Sequence, residues 1–268
     1  MALRKILILR SRRSGRLEGR TTAIQLLFIR SEALSPWLLA CALLATLAGS
    51  AVAQTKVDVA LVLAVDVSLS IDNEEFALQR AGYAAAFRNP VVIDAITMGG
   101  TGSMAVTYIQ WSGASEQKQI IGWRFIRDRE SALAFAGELA AAERLVASGS
   151  TSLSGAIDTA ARLLRQHDFA ANRKVIDISG DGSNNSGRLP IYARDEAVAE
   201  GITINGLAIL KNEPFLDGYY RQTVIGGPGA FVITAADFGD FAQAILGKLV
   251  REVASASGGN IAEGRSGG

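Results

Sequence analysis

Three short stretches of the chain gather small side chains that end in oxygen. They are Asp66-Val67-Ser68-Leu69-Ser70, Gly149-Ser150-Thr151 and Gly180-Asp181-Gly182. Together Asp66, Ser68, Ser70, Thr151 and Asp181 offer two carboxylates and three hydroxyls. A hard cation such as Mg²⁺ takes about six oxygens in near-octahedral geometry and keeps some of its waters, so this donor set plus water completes a shell; Mn²⁺ or Ca²⁺ are the other hard candidates. In an extended loop residues 66, 68 and 70 point to one side, and the apolar Val67 and Leu69 point away. Glycines beside Thr151 and Asp181 let those two loops approach closely. Taken singly, each residue has a plainer explanation: Asp66 and Asp181 cap helices, and the hydroxyls satisfy loop backbone. Five oxygen donors converging on one sheet edge favour the cation.

The elements that must position these residues alternate between strand and helix. Val57 to Val65 (VDVALVLAV) is a near-continuous apolar run, as a central parallel strand covered on both faces requires. Asp66 falls at its end. Asp72 then serves as an N-cap, with Glu75 completing a capping box, and the helix runs to Arg88 before Asn89-Pro90 stops it. Met104–Trp111 and Gln119–Ile126 form a hairpin, and Ser131 to Leu145 is an Ala-rich helix. Leu153, Ala156, Ile157, Ala160, Ala161 and Leu164 mark one buried face of the next helix. Val175–Ser179 is a short strand, Ile191–Glu200 a helix, Ile202–Leu210 a strand and Ala230–Thr234 a last strand. A closing helix carries Phe238, Phe241, Ala242, Ile245, Leu249 and Val253 on one stripe. The pattern predicts a doubly wound α/β fold, with a mostly parallel central sheet, one antiparallel strand and helices on both faces. Ligands in such folds bind beyond the carboxyl ends of the strands, where the strand order reverses.

On these residues the chain resembles a known family. The DxSxS element Asp66-Val67-Ser68-Leu69-Ser70, the Thr151 turn before a helix carrying Ala156-Ile157, and Asp181-Gly182 after an apolar strand match the metal-ion-dependent adhesion site of von Willebrand factor A domains. Ile176 through Gly182, Ile204 through Ala208, and Tyr219-Tyr220 through Phe231 are more closely similar to a secreted bacterial von Willebrand A-like family of unknown function. This resemblance covers about residues 56 to 254. It implies that Ser68, Ser70 and Thr151 contact a metal through their hydroxyls, that Asp66 and Asp181 act directly or through water, and that an acidic side chain of a partner fills the open position. Leu69 departs from the glycine of many A domains; it stiffens the first loop without removing a ligand.

Residues 1–53 hold eight of the 27 Lys and Arg against two of the 26 acids, which leaves 19 basic and 24 acidic residues beyond position 53. The rest of the chain is mildly acidic and carries no electrostatic footprint for nucleic acid. Trp37 to Ala53 is apolar, follows the basic region and ends in Ala51-Val52-Ala53, as a secretory signal does. The alternative is an uncleaved membrane anchor. Arg12-Arg13 hints at twin-arginine export but lies far from the apolar run, and Leu39-Ala40-Cys41 is placed wrongly for lipidation. The expected organisation is a signal over 1–53, one domain over 54–254 and a disordered Gly/Ser-rich tail over 255–268, in the periplasm or outside the cell. Cys41 is the only cysteine, so the domain itself has neither a disulfide nor a thiolate site.

His167 is the only histidine and reads as a helix-end residue, which excludes multi-histidine zinc sites. Asn184 and Asn185 read as turn formers, Asp177 as a strand residue paired with a base, and Gly99 to Gly102 and Gly226 to Gly229 as turns. Tyr219, Tyr220 and Arg221 read as packing rather than as a contact patch. The expectation is a metal-dependent module that holds a protein or peptide acid and is not an enzyme. A metal-dependent hydrolase is the alternative, disfavoured because the three loops lack a His or Glu to act as general base. An A domain with an unused site is the third reading.

Overall fold

The computed structural model describes residues 54–144 and 149–257. The expected signal, residues 1–53, lies outside the described residues, as does the tail from residue 258. Six strands form one sheet: β1 (Thr55–Asp66), β2 (Met104–Trp111), β3 (Gln117–Ile126), β4 (Phe169–Gly180), β5 (Ile202–Ile209) and β6 (Val232–Ala235). Among the described residues the helices are α1 (Asn73–Arg88), α2 (Pro90–Thr97), α3 (Arg129–Ala141), α4 (Leu153–Arg165), α5 (Pro190–Ala199), α6 (Leu216–Thr223) and α7 (Phe241–Ser257). The final helix passes the expected boundary at 254. Strand order is β3-β2-β1-β4-β5-β6, and only the β2–β3 pair is antiparallel. This is the predicted fold class.

Strand β1 shows why the apolar run is continuous. Val59, Leu61, Leu63 and Val65 pack with α1, α2, α3 and α7 on one face of the sheet. Ala60, Val62 and Ala64 pack with α4, α5 and α6 on the other. Alternate side chains point to opposite faces, and both faces are covered, so Val59 to Val65 are apolar throughout, while Asp58 nearer the strand's start accepts from the Thr101 amide. Truncating a fully buried residue such as Leu61 to Ala is expected to remove ~2–5 kcal/mol.

Two helices were not expected. Asn89 ends α1 and at once caps α2, its Oδ1 accepting from the Val91 amide at 2.9 Å, with Pro90 in the first helical turn. Proline lacks only an amide hydrogen that has no partner at that position, so Asn-Pro starts a helix here as well as stopping one. Helix α6 buries only Leu216 and Tyr220, four residues apart, too few to show a periodic stripe. The capping box at Asp72 and Glu75 forms as predicted, with both reciprocal hydrogen bonds at 2.9 Å. Strand β4 starts at Phe169, six residues earlier than expected, because its first half pairs with β1 from Thr55 onward.

Candidate metal centre

The loops after β1 and β4 leave adjacent strands at the point where the chain order reverses, and the loop before α4 joins them. The three oxygen-bearing stretches therefore meet, as the doubly wound topology requires. Ser68, Ser70, Thr151 and Asp181 line one pocket of about 190 Å³, together with Gly149, Gly182, Ser183, Asn185, Asn212 and Glu213. Asp66 lies beneath this pocket rather than in its wall, at 0% exposure.

Within the cluster the acceptors and hydroxyls form a chain. The Ser68 amide donates to Asp66 Oδ1 at 2.8 Å. Ser68 Oγ and Ser70 Oγ are 3.1 Å apart, and Ser70 Oγ donates to Asp181 Oδ1 at 2.8 Å. The other Asp181 oxygen accepts from Asn212 Nδ2 at 3.0 Å. Thr151 is held by its backbone: its amide donates to Asn185 Oδ1 at 2.8 Å, and its carbonyl accepts from the Asn185 amide at 3.0 Å. Its Oγ1 lies 3.9 Å from the place a Cβ on Gly182 would take.

Burial pushes the Asp66 carboxyl up to about 7; the Ser68 amide opposes that shift and the Asp181 charge adds to it. Asp181 is also raised, chiefly by burial, against the stabilising bonds from Ser70 and Asn212. Asp66 Oδ2 is buried without a hydrogen-bond partner, and so is the Tyr220 hydroxyl. Both oxygens lie against Gly180, where a Cβ would come within 2.9 Å of each. A buried carboxylate oxygen without a partner is strongly disfavoured unless a cation or donor compensates it. The donor set fits a hard divalent cation: Ser68, Ser70, Thr151 and Asp181 would face it, and Asp66 would act from below through water or through the Ser68–Ser70 chain.

Further residues at the site had no signal of their own. Arg144 follows α3, where the sequence suggested a helix continuing to Leu145. Its guanidinium donates to the carbonyls of Val67, Ser68 and Ile71, and Nη1 donates to Asn73 Oδ1 at 3.1 Å. Arg144 thereby fixes the curvature of the loop carrying Ser68 and Ser70. Gln79, buried on α1, donates to the Asp66 carbonyl at 3.3 Å. Asn212 and Glu213 come from a fourth loop, after β5. That loop was open to inspection, because ligands in this topology sit at strand carboxyl ends.

The weaker candidates behave as their residue types suggest. Asn184 and Asn185 tie loops together, Asn184 Nδ2 donating to the Ser186 carbonyl at 3.0 Å. Tyr220 is buried and packs against α5 and the sheet. His167 Nδ1 accepts from the Phe169 amide at 3.1 Å, and the ring meets Trp123 edge-on. Asp177 pairs with Lys248. Among the described residues no three His, Cys, Asp or Glu side chains are grouped as ligands, so a cation here depends on the hydroxyls.

A family model described as "Protein of unknown function (DUF1194)" matches residues 56–257. The chain belongs to this von Willebrand factor A-like family. Solved structures of the same fold include the pilus adhesin SpaC from Lactobacillus rhamnosus GG, with TM-score 0.54 and 16% identity over 76% of this chain and 30% of that one. The vWF domain of the type V pili tip protein Mfa5 from Porphyromonas gingivalis gives 0.53 and 13%, over 78% of this chain and 100% of that one. Proximal thread matrix protein 1 from the mussel byssus gives 0.51 and 16%, over 73% and 46%. This chain thus spans less than half the length of SpaC and of the byssus protein. Likeness at these identities establishes the fold. Among curated proteins none matches the chain.

Proposed function

We propose that this chain is an exported, adhesion-type binding module that uses a divalent cation, Mg²⁺ or one of its substitutes Mn²⁺ and Ca²⁺, to hold an acidic side chain of a protein or peptide. One observation carries the reading: Ser68, Ser70, Thr151 and Asp181 converge on one pocket above the buried, half-unpartnered Asp66 carboxylate. A bound cation would supply an open coordination position to a partner's carboxylate. Ser68 and Ser70 hold their hydroxyls toward Asp181, Thr151 closes the opposite wall, and Arg144 and Gln79 keep the first loop in shape. The pilus adhesins and the byssus matrix protein of the same fold support the adhesive reading.

Calorimetry with Mg²⁺ and Mn²⁺ tests it: one site is expected in the wild type and none in Asp66→Ala. No uptake, or uptake unchanged in that variant, would sink the proposal. Capture of a partner from a periplasmic extract is expected to be lost in EDTA. Glu213 is the observation that favours a second reading, metal-assisted hydrolysis, because it brings to the pocket a carboxylate able to act as general base. Turnover of generic ester or phosphate substrates by the metal-loaded chain would select that reading.

A further inference from the structure

Glu213 belongs to none of the three stretches that suggested a cation, yet it lines the same pocket as Ser68, Ser70, Thr151 and Asp181. It is anchored rather than free: Oε1 accepts from the Ser183 amide at 2.9 Å and from Ser183 Oγ at 3.1 Å. Ser183 follows Asp181 by two residues, so the anchor ties Glu213 to the Asp181 loop. The backbone is fixed as well, the Glu213 carbonyl accepting from the Leu216 amide at 3.1 Å where α6 begins. The neighbouring Asn212 donates to Asp181 Oδ2 at 3.0 Å. The place a Cβ on Gly182 would occupy is 3.5 Å from Glu213 Oε1 and 3.9 Å from Thr151 Oγ1, so Gly182 lies against both residues.

Charge decides what this arrangement means. Asp66 and Asp181 alone would balance a divalent cation, leaving it free to attract a partner's acid. Glu213 adds a second carboxylate to the pocket wall beside Asp181, and Lys211, two residues before it, is paired with Glu75. Carboxylate count is the main means by which oxygen sites tune affinity for divalent cations. A partner's acid approaching the loaded site then meets a centre whose carboxylates exceed the cation's charge.

We propose that Glu213, supplied by the β5–α6 loop, faces the cation from the pocket wall as an outer carboxylate, acting through water rather than as a direct ligand, and that it competes there with a partner's acid. This rests on the metal-centre reading above. Such a centre holds its cation tightly at rest, and a partner's acid must displace Glu213 to bind. Affinity for the metal and affinity for an acid are therefore opposed through one side chain.

The test uses the full chain with Mn²⁺ as the metal and acetate as the probe acid. Binding is followed by calorimetry and by the Mn²⁺ electron paramagnetic resonance spectrum. Glu213→Gln keeps an Oε1 that can accept from Ser183, so the midpoint of unfolding in EDTA is expected to stay at the wild-type value. Mn²⁺ is expected to bind this variant at least tenfold more weakly, and acetate to bind its Mn²⁺ form several-fold more tightly. Ser183→Ala, which loosens the same carboxylate without removing it, is expected to give an intermediate change and serves if Glu213→Gln fails to fold. A metal affinity within twofold of wild type, or acetate binding unaltered by the substitution, overturns the role of Glu213 and leaves the metal centre standing. Failure of the wild-type chain to take up Mn²⁺ overturns the metal centre and this role together.

Discussion

Two clusters of buried carboxylates, one on a face of the sheet and one at its carboxyl edge, resolve their charge in different ways. On the face covered by α7, Asp177 of β4 meets Lys248, and Lys248 Nζ is 3.1 Å from Glu252 Oε1, all three residues at 0% exposure. Asn205 Nδ2 donates to the same Glu252 oxygen at 3.0 Å, while its Oδ1 accepts from the Phe231 amide at 2.9 Å. The cation is built in, and nothing opens to solvent. At the carboxyl edge, Asp66 and Asp181 are also buried, but among the described residues their hydrogen bonds come from hydroxyls and amides rather than from a buried cation. Burial raises both Asp177 and Asp66, with Lys248 working against the shift only at Asp177. A carboxylate cluster that carries its own counter-ion ties a helix to the sheet. One that lacks it and opens into a pocket offers the oxygens that the proposed cation would need.

The largest expected effect separates the two clusters directly. Lys248→Met leaves Asp177 and Glu252 buried without their cation and is expected to cost about 3–5 kcal/mol, measured by urea unfolding. Asp66→Asn should act in the opposite sense in EDTA above pH 7, stabilising the chain by roughly 1–3 kcal/mol, because a neutral amide replaces a charge held against its tendency. The same variant should lose divalent binding. A destabilised Asp66→Asn chain in EDTA would mean that the edge carboxylate is structural, like Asp177.

The pH dependence has a defined sign. With the Asp66 carboxyl moved from 3.8 to about 7, the native chain holds a proton that the unfolded chain has released. Its contribution is fully favourable below the unfolded value, weakens as pH rises through that window, and is constant above about 7. Asp177 shifts in the same direction, so Asp66→Asn should remove only part of the slope in stability measured in EDTA. Metal binding runs the other way: protons compete for Asp66, so affinity should fall about tenfold per pH unit below about 7 and level off above it. The smallest expected effect is that of Arg144→Ala. Three loop carbonyls lose their common donor, and Mg²⁺ affinity should drop roughly tenfold with only a modest change in the unfolding midpoint.

What the sequence showed and what it hid follow from the range of the interactions. Strand β1 was legible because covering both faces makes Val59 to Val65 apolar without a break, and α1 because its capping box closes within four residues. The convergence of the five candidate oxygen-bearing residues was legible because each sits near a glycine or in an alternating pattern at a strand or helix end. Arg144, Asn212 and Glu213 were not, because each reaches the site from a loop whose local pattern says nothing about where it points. The Asp177 pairing was half legible: a carboxylate inside a buried strand needs a base, but Lys248 lies on the apolar face of α7 between Ile245 and Leu249 and breaks the stripe that revealed the helix. Asn89-Pro90 was misread because the same dipeptide ends one helix and starts the next.

Anomalous diffraction from crystals grown with Mn²⁺ tests the central claim most directly. The expected result is one strong peak in the pocket after β1 and β4, about 2–2.3 Å from the hydroxyl oxygens of Ser68, Ser70 and Thr151, and absent in Asp66→Asn. A map with no peak there at millimolar Mn²⁺, or a peak bound only by surface carboxylates elsewhere, would contradict it.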